Sequence, residues 1–187
     1  MGKTYNLGFK NFQYVLKNGG ITAPPAPLPG AIRIAFKPRT ASRTLSVRMA
    51  DGTMSSISKT ADDGITAQLS MVDLPEAFLK SVLGYNKATD GTMYEGQQPE
   101  VHFALLYETQ GATEPTRHML FDCVCIKPTY DATTKSSSPS IDTKTLDLLI
   151  SPNMAEGSAA YGKYKRQVKR SDNSTLYDNW FGLVTST

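Results

Sequence analysis

The stretch ITAQLSMVDLPEAFLKSVLG, residues 65 to 84, decides the class of fold. Its first half alternates Ile65, Ala67, Leu69 and Met71 with Thr66, Gln68 and Ser70, the period of two that lays one face of a strand on a core. Its second half changes period. Leu74, Phe78 and Val82, with Ala77, Leu79 and Leu83, form one apolar side of a helix, so the spacing predicts a helix over about 74–83. Asp73 and Glu76 stand at capping-box spacing, and Gly84 suits the left-handed position after the last turn. A strand running into one short amphipathic helix implies a sheet for that helix to lie on.

Upstream, residues 51–64 hold only Met54 and Ile57 as large apolar groups among Ser, Thr and Asp, which predicts a long polar loop between strands. Before it, Ile32, Ile34 and Phe36 alternate with Arg33, Ala35 and Lys37, and Leu45, Val47 and Met49 with Ser46, Arg48 and Ala50. These read as half-buried strands. Pro24, Pro25, Pro27 and Pro29 make 18–30 an extended connector, since proline lacks the N–H a central strand or helix needs. Residues 1–30 are thus an N-terminal segment with a proline-rich end.

Downstream, Val101, Phe103, Leu105 and Tyr107 alternate with His102, Ala104, Leu106 and Glu108, giving one strongly apolar face, and 118–126 is apolar on both faces, as a central strand would be. The two should form a hairpin with Tyr107 opposite Thr116 or Arg117. A polar loop, 129–141, precedes the alternating Leu146, Leu148 and Ile150. Nothing is periodic from 152 to 173. Leu176, Tyr177, Trp180, Phe181 and Val184 then have the spacing of a helical turn that docks by its aromatic face, making 152–187 a C-terminal arm. The expected architecture is mainly β, an antiparallel sandwich or barrel of two packed sheets flanked by one helix, in a single domain spanning 1–187.

The 187 residues match one domain, and no apolar run nears the roughly 18 residues of a membrane span. With no apolar leader either, the expectation is a soluble chain made in a cytoplasm. The net charge of +3 conceals a division. Residues 1–50 carry eight basic side chains and no acid, whereas 51–100 carry three basic and eight acidic. Such poles either neutralise each other within one fold or meet between copies in a head-to-tail assembly.

Motifs for chemistry are few. The sequence has no phosphate-binding glycine loop between strand and helix, no His-Glu-x-x-His and no Gly-x-Ser-x-Gly elbow. His102, His118, Cys123 and Cys125 are all its histidines and cysteines, and four such ligands could hold zinc, but Cys-x-Cys at strand spacing fits buried thiols better. Neither a metal, a cofactor nor enzymatic activity is therefore expected. Lys163, Lys165, Arg166, Lys169 and Arg170, beside Tyr161 and Tyr164, could contact a nucleic-acid backbone or an acidic protein surface, or form a solvated arm.

Gly8-Phe9-Lys10-Asn11-Phe12-Gln13-Tyr14, Pro29-Gly30-Ala31-Ile32-Arg33-Ile34, the passage from Ile65 to Gly84 with its Asp73-Leu74-Pro75 entry, the central hairpin and Asp178-Asn179-Trp180-Phe181 follow one another in a suggestive order. In that order the chain resembles the major tail proteins, or tail tube proteins, of long-tailed bacteriophages. The resemblance implies two packed antiparallel sheets with a flanking helix, subunits joined as homohexameric rings, and rings stacked into a hollow tube. It also implies a virion protein of the phage tail, made in the host bacterial cytoplasm. Its partners would be its own copies, the tape measure protein and the tail terminator and baseplate proteins. DNA would pass through an acidic lumen during ejection without specific binding. Segment 152–173 fits the resemblance least.

Contacts between copies are expected from the basic first fifty residues (Arg39, Arg43, Arg48), the polar segment that follows (Asp51, Met54, Ile57, Asp62, Asp63) and the C-terminal aromatics (Trp180, Phe181). Two alternatives stay open. One is another ring-forming tube component, of a contractile tail or secretion system; the other is a monomeric β-sandwich binding module using the loop tyrosines Tyr85, Tyr94, Tyr130, Tyr161 and Tyr164.

Overall fold

The alternating runs become strands, and most of them join one sheet. The computed structural model of the protein describes residues 6–17, 24–49, 53–97, 99–111, 114–129 and 143–182. In chain order the elements are β1 (Asn6–Leu16), β2 (Ala26–Pro27), β3 (Ala31–Arg48), β4 (Met54–Met71), α1 (Glu76–Ser81), β5 (Tyr85–Lys87), β6 (Met93–Glu95), β7 (His102–Gly111), β8 (Thr116–Thr129), β9 (Lys144–Ser151), β10 (Lys165–Lys169) and α2 (Ser174–Asp178). The large sheet is antiparallel and runs β2-β1-β7-β8-β9-β4-β3, with β10 also paired to β8, while β5 and β6 form a separate small hairpin.

Where two packed sheets were expected, one continuous sheet is found, rolled on itself. Phe36 on β3 and Tyr107 on β7 stack with ring centroids 6.5 Å apart. Four strand steps separate them in the sheet, which would be about 19 Å if it were flat. Curling therefore brings its ends together over one core. Ile34, Leu69 and Leu146 are register neighbours, as are Ala67, Leu148 and Cys125, and all are buried on that face with Leu105 and Leu120. Tyr14 meets Phe78 of α1 edge-on at 5.0 Å, and Phe78 meets Phe103 at 5.9 Å, so the helix closes this core.

β1 explains why its sequence looked mixed. The register jumps between Lys10↔Glu108 and Gln13↔Leu106, and Asn11 has φ of 55°. This bulge breaks the period of two, letting both Phe9 and Phe12 contact Tyr107, at 6.1 and 5.4 Å. Of the proline connector, Ala26–Pro27 pairs with β1 at the sheet edge, where a missing N–H costs little, and 18–23 lies outside the described residues.

Four further expectations are corrected. The helix is shorter than 74–83, with Pro75 at its N-cap and no side-chain cap bond. Asp73 accepts the Leu74 N–H at 2.9 Å, and Glu76 turns outward to Lys80 and Lys87, at 2.7 and 2.9 Å, in place of closing a capping box. The polar segment 51–64 is mostly strand: β4 already pairs with β3 at Met54↔Arg48. Serine and threonine carry no hydrophobic alternation, so their strand content was hidden. Tyr107 pairs with His118, one residue beyond the expected partners. Finally, the basic run is strand β10, preceded by a compact loop closed by Asn153 N–H to Lys163 C=O at 2.9 Å and Gly162 N–H to Asn153 C=O at 2.8 Å.

Candidate assembly surfaces

β3 and β4 continue past the sheet as a hairpin arm. β9 accompanies β4 only over Ile65 to Met71. Between Pro38↔Ile65 and Thr40↔Asp62 the register gains one residue on β4, a bulge that includes Gly64 at φ +113°. Nine pairs then follow, from Thr40↔Asp62 to Arg48↔Met54, a ribbon of about 30 Å at 3.3 Å per residue. The Met49 N–H bonds the Thr53 carbonyl at 2.8 Å near the tip. Two strands alone are marginal in water, and a long free edge invites another strand.

The expected contact residues divide between this arm and the body. Arg39, Arg43, Arg48, Met54, Ile57, Asp62 and Asp63 belong to β3 or β4 at or beyond the bulge; Asp51 lies outside the described residues. Met54 is 68% exposed and Met49 52%. Trp180 is 1% exposed, donating its indole N–H to the His118 carbonyl at 3.3 Å, and so is consumed within the subunit.

A second apolar cluster on the opposite sheet face explains that burial: Val15, Ala104, Leu106 and Met119 lie under Val168, Tyr177 and Trp180. Beside it Glu108, 2% exposed, binds Lys10 at 2.9 Å and Arg117 at 3.1 Å. Burial alone would raise this carboxyl, but hydrogen bonds from the two cations hold it below the usual carboxylate range. Arg117 also donates to the Tyr177 carbonyl and lies 4.0 Å over the Tyr177 ring and 4.9 Å over Phe181. One guanidinium thus ties α2 to the sheet, a link that sequence spacing could not reveal.

The candidate zinc ligands are scattered into other roles. His102 Nδ1 sits 2.8 Å from Asp122 Oδ1. His118 stacks on Tyr107 at 4.8 Å and places Nε2 2.9 Å from Thr109 Oγ1. That hydroxyl donates to the Thr116 carbonyl, so it accepts from Nε2–H, leaving Nδ1 a bare, buried lone pair. Burial, helped by Lys165, lowers the His118 pKa to about 4. Cys123 and Cys125 are buried, which pushes the first thiol up strongly and the second to about 12. Among the described residues no group of three or more His, Cys, Asp or Glu side chains could hold a metal, and no helix is long and apolar enough to cross a membrane.

The chain matches no protein-family model and no curated protein sequence.

Proposed function

We propose that this chain is a structural subunit that assembles with its own copies, a tail tube protein of the long-tailed phage type. Six would close a ring, and stacked rings would form a hollow tube for DNA ejection in the virion tail. The observation that carries the reading is the hairpin arm, about 30 Å of two-stranded ribbon beyond the last supporting strand. Such a ribbon gains stability from further surfaces, and among the described residues no third strand pairs with it. Contact with a neighbouring ring would supply them, and pairing along the free edge of β3 would remove an aggregation hazard. A rolled antiparallel sheet with α1 on its core is compatible with the sandwich or barrel of such subunits.

The tape measure, terminator and baseplate proteins would be the further partners, and DNA would traverse the lumen without sequence-specific contacts. No catalytic step is assigned to any residue. Negative-stain microscopy of concentrated protein tests the reading: rings or tubes with a central hole are expected, and a persistent monomer would favour a binding module.

A further inference from the structure

β10 carries an unusual group of charges. Lys163, Lys165, Arg166, Lys169 and Arg170 fall within eight residues, all exposed, and only Arg170 has an ion-pair partner among the described residues, Asp178 at 3.4 Å. Glu114, whose charge also reaches Lys169, spends both carboxylate oxygens on Ser171. Over residues 152–170 five basic groups stand against one acid, Glu156, and with Glu114, Asp172 and Asp178 close by the stripe keeps a small positive excess.

Strand register shows where this stripe lies. β8 pairs through Asp122 with Ser151, the end of β9, and through Leu120 with Lys165, the start of β10. β10 thus continues the line of β9 at the end of the sheet from which the arm departs. The opposite end holds α1, since Lys144 at the start of β9 pairs with Met71 and reaches Asp73 at 3.7 Å. β5 is tied to α1 by Lys87 and Glu76, at 2.9 Å. Over residues 72–100, Asp73, Glu76, Asp90, Glu95 and Glu100 outnumber Lys80 and Lys87 even with Lys144 beside Asp73 counted, and Glu100 lies 3.6 Å from His102.

The two ends are thus opposite in charge and separated by the length of β9, about 23 Å at 3.3 Å per residue. That exceeds a Debye length of about 10 Å at 0.1 M salt, so they do little to neutralise each other within one subunit. A copy stacked head to tail would bring unlike ends into contact, and such heterologous contacts propagate without closing.

We infer that the β10 stripe docks on the acidic β5–β6 end of a second copy. Lys165 and Lys169 face Glu95 and Glu100 across this contact. The inference rests on the assembly reading and assigns it a specific pair of surfaces. Free nucleic acid fits less well, because the chain as a whole is close to neutral and supplies its own acidic counterpart.

Reciprocal charge exchange tests it. Lys165→Glu with Lys169→Glu, and separately Glu95→Lys with Glu100→Lys, should each reduce the polymerised fraction at 0.1 M salt by about tenfold or more. All four changes in one chain should restore it. Circular dichroism and thermal melting of each variant establish that the exposed substitutions leave the fold intact. Wild-type tubes that persist in both double variants would overturn the docking and leave the tube reading standing; absence of any wild-type assembly would overturn both. Loss of single-stranded DNA binding in the β10 variant, with assembly unchanged, would identify the stripe as a nucleic-acid surface and also overturn the docking.

Discussion

A side chain on Gly64 would place its first carbon 3.2 Å from the carbonyl oxygen of Ile150, at a backbone φ of +113°. This close approach marks the last point at which β4 runs beside β9, and there the arm separates from the body. Gly64→Ala combines crowding against a fixed backbone with strain and should cost about 1–3 kcal/mol in chemical denaturation. Gly157→Ala, at φ +79° with nothing within 4 Å of the added carbon, should cost less, about 1 kcal/mol. Equal losses would show that the contact with Ile150 adds nothing.

The buried lock beneath α2 gives a second expectation. Trp180→Ala empties a site 1% exposed and should destabilise the fold by about 3–5 kcal/mol. Glu108→Gln leaves Lys10 and Arg117 without their carboxylate and should cost about 2–4 kcal/mol, less than a wholly buried pair because Lys10 is half exposed. Thermal melting checks both. Because Arg117 links Glu108 to Tyr177, the α2 amides of the Glu108 variant should also exchange hydrogen faster.

Stability should fall on acidification in two stages. His118 binds its proton near pH 4 when folded and near 6.5 when unfolded, so the unfolded chain takes up more protons between these values. Stability is thus lost as pH drops from 6.5 towards 4. Glu108 has the opposite charge type but acts in the same direction: its lowered pKa stabilises the fold above the ordinary value of 4.5, and that gain disappears as pH falls through the folded pKa. A His118→Asn variant should flatten the upper stage and leave the lower one, as read from melting temperature against pH.

A strand is legible in this sequence where one face is uniformly apolar and hidden where other physics holds the chain. Ile65 to Met71 and Val101 to Tyr107 announced themselves by alternation because alternate residues enter the core. Met54 to Gly64 did not, since Ser, Thr and Asp fill this strand of the ribbon and leave it no apolar alternation, unlike Leu45, Val47 and Met49 opposite. β10 was obscured for a related reason: Val168 is its one buried side chain, and the rest of its residues are cationic or polar. At Asn11 the bulge shifted the phase of β1 midway. The aromatic spacing of Tyr177 and Trp180 did foretell docking, but Arg117 could not be foreseen, because it joins the C-terminal helix to Glu108 from a distant strand.

If charged ends guide association, assembly should weaken as salt rises from about 0.05 to 0.5 M, because screening shortens the reach of the attraction. Light scattering at fixed protein concentration reads this directly. Indifference to salt would assign the association energy to apolar contacts of the arm.

The arm itself gives the sharpest test of the account. Removing 42–60 and joining the shortened strands with an Asn-Gly turn deletes ribbon that no third strand supports among the described residues, while leaving the rolled sheet, α1 and α2 in place. Electron microscopy of this variant beside the full chain, at matched concentration, should show tubes from the full chain and only dispersed subunits or single rings from the variant, with a cooperative thermal melt showing that its body still folds. Tubes of normal length from the arm-less variant would contradict the claim that the hairpin joins one ring to the next.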